Sequence, residues 1–342
     1  MRVAVYHSND DLRIEERPAP RPAAGELVLR VEASGICGSD LMEWYRVPRA
    51  PLVLGHEVAG TVHEVGAGVT AFRAGDSIVT THHVPCGDCR YCRTDRESVC
   101  DTLRRTSFDP GGFAEYVRLP AINVRRGTFP LPDEVSFDAG TFVEPLACVL
   151  RAQRLAGFVP GDRVAVLGAG VSGILHIKHA RLLGAELVAA TDPAEQRRAA
   201  ARRFGADPVV DPAEPGAVER LRAATDGEGF DRVIVCTGAP PAFAQALAVA
   251  ARGASVVFFA PTAPGERLSV DVNDLWRRNV NVFHTYAGPP AEMRRALELL
   301  RTGALDVTAL VTDRLPLGHI QAGFDRMRAC AASLKIVIHP HE

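Results

Sequence analysis

The segment from Val164 to Asp192 places the strongest constraint on how this chain folds. It opens with a short β-branched run, Val164–Leu167, whose length and composition indicate a buried strand. A G-x-G-x-x-G pattern follows at once, and Ile174–Leu183 then has the apolar content and length of a helix. A second strand is predicted over Leu187–Ala190. Strand, glycine turn, helix and strand in this order predict a unit that binds a dinucleotide.

Each position of the glycine turn has a physical role if a dinucleotide binds there. Gly168 permits the tight turn, Gly170 lets the pyrophosphate approach the backbone, and Gly173 lets the helix pack closely on the strand. Val171 and Ser172 of the turn lie next to the N-terminus of the predicted helix, whose unpaired N–H groups and positive dipole end attract phosphates. A glycine turn without a ligand is the weaker interpretation, because the flanking strand and helix are both present.

Asp192 indicates which dinucleotide is bound. It stands nineteen residues after Gly173, and its carboxylate can accept both ribose hydroxyls of NAD and repel the 2′-phosphate of NADP. Arg197 and Arg198 lie just beyond it, and two interpretations are open for them. They flank the adenine, or they belong to an ordinary solvated helix face. NAD is therefore the expected cofactor.

The second half of the chain continues the alternation of strands and helices. Strands are predicted over Asp231–Cys236, Ala254–Ala260, Val280–Tyr286 and Leu334–Ile338, and a helix over Ala291–Arg301. Thr237 and Gly238 follow the first of these strands, in a loop expected at the carboxyl edge of the sheet against the cofactor.

Residues 1 to about 145 have a different pattern, in which short strand-like runs are broken by Gly and Pro. The clearest runs are Leu27–Val31, Gly60–Val65, Ser77–Thr81 and Ala114–Leu119. The N-terminus, M-R-V-A-V-Y, is predicted to be a first strand and not a signal peptide. The pattern predicts an antiparallel, partly open β-barrel that carries functional residues on its loops.

Composition argues against several classes of partner. The 342 residues are 47% hydrophobic and 23% charged, with a formal net charge of -2, so no surface for nucleic acid is expected. No apolar run approaches the roughly 20 residues of a membrane span, which argues against a membrane partner. Four of the eight cysteines are clustered, which is untypical of a secreted disulfide framework and favours a cytoplasmic location.

The clustered cysteines have the spacing of a metal site. Intervals of two, two and seven residues separate Cys86, Cys89, Cys92 and Cys100. Four thiolates can close the shell of one structural zinc ion, whereas disulfides are disfavoured in a reduced compartment and an iron–sulfur cluster stays an alternative. Cys148, Cys236 and Cys330 fit no metal spacing and are expected to be packing residues.

A second set of ligands is spread along the chain. Cys37 lies in A-S-G-I-C-G-S-D, His56 and Glu57 lie in G-H-E, and Glu144 lies in T-F-V-E-P-L. Each alone is weak evidence, since a single cysteine or histidine is more often structural. Together they offer one thiolate, one imidazole and two carboxylates, and a catalytic zinc ion takes three such ligands and leaves one position open.

These motifs, in this order and spacing, resemble the zinc-containing medium-chain dehydrogenase/reductase family along essentially the whole chain. Glu144 followed by Pro-Leu is similar to the sorbitol and threonine dehydrogenase branch. The resemblance implies an α/β protein with a GroES-like catalytic domain over residues 1–145 and 287–342 and a Rossmann domain over residues 146–286. It also implies an active site in the cleft between them, two zinc ions per subunit, and a homodimer or homotetramer.

The resemblance suggests roles for the residues around the catalytic metal. Cys37 and His56 are expected ligands, Glu144 is expected as the third, and Glu57 either coordinates directly or exchanges with water. Asp40 is expected to orient His56 by a hydrogen bond, although an ordinary turn aspartate is the alternative.

Ser39 is suited to take the proton of the substrate, because a hydroxyl donates and accepts at once. Similar enzymes often continue the relay through a histidine five residues after the first zinc cysteine. Met42 occupies that position here and cannot carry a proton. We therefore expect the relay to use the ribose hydroxyl, water or another residue such as Glu43.

The neighbouring aromatic residues and histidines complete the candidate list. Trp44 and Tyr45 are expected either to form a wall of the substrate pocket or to pack, with Phe108 and Phe113 as weaker pocket candidates. His82 and His83 precede the cysteine cluster. Adjacent strand residues point to opposite faces, so they are expected to be structural and not a chelating pair.

The sequence thus predicts a zinc-dependent oxidoreductase. It would transfer hydride from a secondary alcohol, of polyol, sugar, cyclitol or hydroxy-amino acid type, to NAD. A biosynthetic carbonyl reductase that uses NADH is the alternative, since one site serves both directions. A non-catalytic binding protein of the same fold is disfavoured, as is a zinc-free quinone reductase, because all the expected zinc ligands are present.

Overall fold

The chain divides into two compact units in the computed structural model, which describes residues 1–329 and 333–342. One unit comprises Met1–Ala147 together with Ala287–Glu342, and the other comprises Cys148–Tyr286. Cys330, expected to be a packing residue, lies outside the described residues. We describe each unit by itself.

The first 147 residues are dominated by strands. The strands are β1 (Arg2–Ser8), β2 (Asp11–Glu16), β3 (Leu27–Gly35), β4 (Leu52–Val53), β5 (Glu57–Val65), β6 (Ser77–Thr81), β7 (Tyr116–Leu119) and β8 (Thr128–Pro130). The helices are α1 (Glu43–Arg46), α2 (Asp101–Arg105), α3 (Ala121–Arg126), α4 (Phe137–Gly140) and α5 (Val143–Leu155), the last of which runs into the second unit.

The second unit alternates strands and helices. Its strands are β9 (Arg163–Leu167), β10 (Leu187–Thr191), β11 (Val209–Val210), β12 (Phe230–Val235), β13 (Ala250–Phe258) and β14 (Asn281–His284). Its helices are α6 (Val171–Leu182), α7 (Glu195–Arg203), α8 (Ala217–Ala223), α9 (Pro240–Val249) and α10 (Val272–Arg278).

These six strands form one parallel sheet in the order β11-β10-β9-β12-β13-β14. The strand order reverses between β9 and β12, and ligands of open α/β sheets bind outside the carboxyl ends of the strands at such a point. The central strands read as continuous apolar runs because a parallel sheet is covered on both faces. Val164, Val166, Val233 and Ile234 are fully buried.

The C-terminal segment returns to the first unit with α11 (Pro290–Arg301), β15 (Val311–Pro316), α12 (Ile320–Arg328) and β16 (Lys335–His339). Strands β15 and β16 join a seven-stranded sheet of order β15-β16-β3-β5-β6-β8, in which β7 also pairs with β3. All pairs of this sheet are antiparallel except β15 with β16. A three-stranded sheet of order β2-β1-β4 packs its apolar residues into the same core.

The predicted fold class is confirmed: a doubly wound parallel sheet forms one unit and a mainly antiparallel β-structure forms the other. The strands and helices that were predicted differ from the observed ones only at their ends, whereas several further elements, among them α5, α7 and α9, were not predicted. The helix after the glycine turn begins at Val171, three residues before the predicted start, and β14 ends at His284, two residues before the predicted end. Within the described residues, every helix is too short or too polar to cross a membrane.

Candidate metal and dinucleotide sites

A tight turn after β3 fixes the direction of Cys37. The backbone N–H of Cys37 donates to Asp40 Oδ2 at 3.0 Å, and the backbone N–H of Ser39 donates to Cys37 Sγ at 3.5 Å. These reciprocal bonds form a capping box around the short 3-10 turn Gly38–Leu41. The thiol is therefore held by local backbone geometry, and not by a flexible loop.

Strand pairing then brings the other candidate ligands to this turn. In the antiparallel pair of β3 and β5, Gly35 lies opposite Glu57, and His56 directly precedes β5. One ligand atom each from Cys37, His56 and Glu57 lies within 4.8 Å of the others. Glu144 is buried in the first turn of α5 but does not join this group of described residues.

The charges around His56 favour a cation. Burial acts to lower the pKa of His56, but the carboxylate of Asp40, whose Oδ1 lies 3.5 Å from Nδ1, and the Cys37 thiol raise that pKa well above its usual value. Asp40 is fully buried, which acts to raise its pKa, and His56 and Arg46 outweigh burial and lower it. An environment that stabilises a proton on an imidazole also stabilises a divalent cation there.

Glu57 has a partner that sequence reasoning missed. Its Oε2 accepts from Nζ of Lys335, and both side chains are almost completely buried. The ammonium also lies 5.4 Å from the centre of the Phe142 ring. A Cβ at Gly35 would collide with both partners. The sequence signal for this pair was a single lysine in the apolar run of β16. A lysine buried in such a strand requires a charged partner.

The remaining atom of this carboxylate supports a metal site. Oε1 of Glu57 is buried and has no hydrogen-bond partner among the described residues, although an orphaned buried carboxylate oxygen is costly. A thiolate, an imidazole and a carboxylate form a donor set that suits zinc. The residues therefore fit a catalytic zinc ion.

The four clustered cysteines also converge. Their sulfur atoms lie within 4.8 Å of one another, with 3.5 Å between Cys89 and Cys92 and 3.7 Å between Cys86 and Cys100. Although burial acts to raise the pKa of Cys100, backbone N–H groups lower it to about 6, whereas burial raises the pKa of Cys92 to about 12. Four sulfurs this close fit one tetrahedral zinc ion, which would neutralise the thiolates together.

The glycine turn leaves open the space that a pyrophosphate needs. Gly168 has φ +97°, a conformation that favours glycine, and a Cβ at Gly173 would collide with the carbonyl oxygen of Gly168. At Gly170, the N-cap of α6, a Cβ would find only the Arg197 guanidinium, 4.0 Å away. Thr237 lies beside Gly168. The N-terminus of α6 thus faces open space, which fits a phosphate group.

Asp192 is held at the end of β10 by two backbone groups. Its Oδ2 accepts from the N–H of Ala169 and its Oδ1 accepts from the N–H of Ala194, both at 2.9 Å. Each oxygen keeps lone pairs for ribose hydroxyls. Arg197 lies 3.9 Å from Oδ2, whereas Arg198 binds the carbonyl oxygen of Asp192 and the carboxylate of Asp211.

The structure corrects the side-chain geometry expected of one neighbouring pair. The ring centres of His82 and His83 lie 3.7 Å apart, because both residues follow the end of β6 and the strand rule of opposite faces does not apply. Phe108 and Phe113, the weaker pocket candidates, lie in the hydrophobic core of their unit, where their rings pack. Trp44 is 40% exposed and its ring lies 5.7 Å from that of Tyr45.

Comparison with known proteins supports the same chemistry. The family models "Alcohol dehydrogenase GroES-like domain" and "Zinc-binding dehydrogenase" match residues 23–133 and 172–302. The chain is 34% identical over 335 residues to an L-threonine 3-dehydrogenase of Pyrococcus furiosus, covering 95% of this chain and 92% of the relative. It is 28% identical over 350 residues to a sorbitol dehydrogenase of Bacillus subtilis, covering 100% of this chain and 98% of the relative.

A solved structure extends the likeness to three dimensions. A zinc-binding dehydrogenase from Sinorhizobium meliloti, bound to NADP, matches with a TM-score of 0.89 and 30% identity over 99% of both chains. The resemblance read from the sequence motifs is confirmed. The chain belongs to the zinc-containing medium-chain dehydrogenase/reductase family of alcohol dehydrogenases and is an oxidoreductase.

Proposed function

We propose that this enzyme oxidises a secondary alcohol, of polyol, sugar, cyclitol or hydroxy-amino acid type, with NAD as the acceptor. The observation that carries the proposal is the group formed by Cys37, His56 and Glu57, with a buried, unpartnered carboxylate oxygen in it. The likeness to threonine and sorbitol dehydrogenases supports the substrate class.

In the proposed reaction the carbinol carbon gives a hydride to NAD, the hydroxyl gives a proton to solvent, and a carbonyl is formed. A zinc ion held by Cys37, His56 and Glu57 would supply Lewis acidity that lowers the pKa of the substrate hydroxyl. Glu144, buried in α5, is proposed as an alternative ligand to Glu57. A second zinc ion in the four-cysteine cluster would be structural.

The residues of the turn after β3 would accept the proton of the substrate hydroxyl and pass it on. Oγ of Ser39 lies 3.4 Å from Cys37 Sγ, so its hydroxyl lies beside the proposed metal ligands and can accept the substrate proton. Asp40 orients the His56 ring. Met42 cannot continue a relay, and the carboxylate of Glu43 is engaged at 3.2 Å by the N–H of Asn9. We therefore propose that the proton leaves Ser39 through water or the ribose hydroxyl.

The test is NADH formation by the zinc-loaded enzyme with a panel of polyols, cyclitols, threonine and simple alcohols. We expect turnover with at least one member that carries a secondary hydroxyl, and loss of turnover after a chelator removes zinc. Primary alcohols form the matched control. Turnover that is unaffected by complete zinc removal would overturn the mechanism.

Replacing Asp192 with serine is expected to shift cofactor preference from NAD toward NADP by about 10²-fold in the ratio of kcat/KM values. A carboxylate against the 2′-phosphate costs several kcal/mol, and Arg197, 3.9 Å away, would be free to bind that phosphate. Steady-state kinetics with both cofactors measures the ratio. Glu195→Gln removes an exposed carboxylate of α7 and is expected to leave it unchanged. A wild-type enzyme that prefers NADP would contradict the prediction.

The proposed assembly is a homodimer or homotetramer in the cytoplasm, built by pairing of β14 with a second copy. β14 is the last strand in the sheet order, and Val282 on it is 39% exposed; such an edge invites pairing. Val282→Lys is expected to shift the sedimentation of the enzyme toward the monomer. Val159→Lys, which changes an exposed valine outside β14, is the control. A monomeric wild-type enzyme would exclude this assembly.

A further inference from the structure

Arg46, the last residue of α1, contacts the hydrogen-bond partners of two proposed zinc ligands. Its Nε donates to the carbonyl oxygen of Ser39 at 3.0 Å, and its Nη2 donates to Ser39 Oγ at 3.2 Å and to Asp40 Oδ1 at 3.3 Å. Only 13% of its side chain is exposed. The guanidinium is thus hydrogen-bonded to the turn after β3 and is not a solvated surface charge.

Each of the two contacted residues bears on a different ligand. Ser39 Oγ lies 3.4 Å from the sulfur of Cys37, and Asp40 Oδ1 lies 3.5 Å from Nδ1 of His56. Because Ser39 Oγ accepts from Arg46, its single hydrogen is free to point at the Cys37 sulfur. The same guanidinium nitrogen that binds Ser39 also binds the Asp40 oxygen that faces His56. The Arg46 side chain therefore holds both Ser39, the partner of Cys37, and Asp40, the partner of His56.

The buried negative charge of Asp40 gives a second reason why a cation is needed at the position of Arg46. Asp40 is completely buried, and a buried carboxylate requires a compensating cation. An imidazole that binds a metal is neutral. A hydrogen bond to Asp40 can therefore orient the His56 ring, but the ring cannot balance the negative charge of the Asp40 carboxylate. Arg46 is the cation left in contact with Asp40 among the described residues.

We propose that Arg46 is a positioning residue for the catalytic metal site, which sets metal affinity and turnover by holding Ser39 and Asp40. The inference deepens the proposed zinc-dependent function and rests on it. A fixed fork is required, because three hydrogen bonds reach two residues at once. A lysine, with one flexible ammonium, can keep the charge near Asp40 but cannot reproduce the fork.

The test compares Arg46→Met, Arg46→Lys and the control Arg49→Met. Arg49 is exposed and its guanidinium lies 4.2 Å from the centre of the Tyr45 ring, which the guanidinium of Arg46 also approaches, at 4.7 Å. It therefore matches Arg46 in charge and in its aromatic neighbour, but no hydrogen bond joins it to the turn in the described residues. Cobalt titration with absorption spectra, zinc competition with a chromophoric chelator, and kcat and KM are measured for all three variants.

Arg46→Met is expected to weaken cobalt and zinc binding at the one-thiolate site by about 10–100-fold, the usual effect of losing such an outer partner. It is also expected to change the cobalt spectrum of that site and to lower kcat more than it raises KM. Arg46→Lys is expected to fall between Arg46→Met and the wild type, and Arg49→Met to match the wild type. The four-thiolate cluster, with its stronger sulfur-to-cobalt absorption, should be unaffected.

Wild-type affinity and spectrum in Arg46→Met would overturn the proposal. If Arg46→Met does not fold, Arg46→Lys decides alone, because wild-type affinity and spectrum in that variant show that the fork is not required. These metal readouts need no substrate. An enzyme that binds metal through this turn but oxidises no alcohol would therefore refute the proposed function and leave the role of Arg46 standing.

Discussion

Replacing Lys335 with methionine is expected to lower the free energy of unfolding by about 3–5 kcal/mol, the usual result of breaking a buried ion pair at one end. Methionine has a similar volume, so packing against Phe142 is largely retained. The carboxylate of Glu57 would remain in a site from which both partners exclude water. Urea denaturation of the wild type and the variant, with and without zinc, measures the loss.

A double variant separates charge from packing in that experiment. Lys335→Met combined with Glu57→Met removes both charges and is expected to recover much of the lost stability, since an apolar replacement of a whole pair is often neutral. Zinc should also reduce the loss in the single variant, because it would compensate the orphaned carboxylate. A single variant within about 1 kcal/mol of the wild type would show that the pair behaves like an exposed one.

Replacing Cys37 with serine is expected to lower kcat by about 10³-fold and, of the two proposed zinc ions, to leave only the structural one bound. A serine hydroxyl does not ionise near neutral pH as a thiol does, so the site loses its anionic sulfur ligand. Without that ligand the site would not hold the zinc ion, and the several kcal/mol of charge stabilisation that the ion would supply would be lost. Metal analysis of the purified enzyme and steady-state kinetics measure the two effects.

The matched control is a serine at Cys89 of the four-cysteine cluster. This variant is also expected to bind one zinc ion, but its defect should be in stability, because a closed four-thiolate site does no chemistry. Equal loss of turnover in the two variants, at equal folded fraction, would contradict the division into a catalytic and a structural site.

The sequence could predict features whose parts lie close together in the chain. The turn from Gly168 to Gly173 and the cluster from Cys86 to Cys100 each span a few residues, so spacing alone implies their geometry. The ends of elements were less accurate, because a helix begins where the backbone turns and not where its apolar residues begin. Val171 therefore opens α6 ahead of the first predicted helical residue.

The tertiary structure decided everything that depends on distant strands. Lys335 meets Glu57 across 278 residues of sequence, because β16 and β5 both pair with β3. No local periodicity encodes such a contact. The rings of His82 and His83 meet because β6 ends just before them, so a rule for strand residues gave the wrong geometry.

By itself the sequence determined the fold class, the family and the kind of ligand atoms available, since these follow from local spacing, apolar patterning and residue type. Only the tertiary structure decided which candidate ligand atoms meet and that Glu57 keeps a buried oxygen without a partner among the described residues. It also decided that Lys335 pairs with Glu57 and that Arg46 pairs with Asp40. The physical reason is that desolvation makes a buried charge depend on its neighbours in space, and those neighbours are chosen by strand pairing and not by order along the chain.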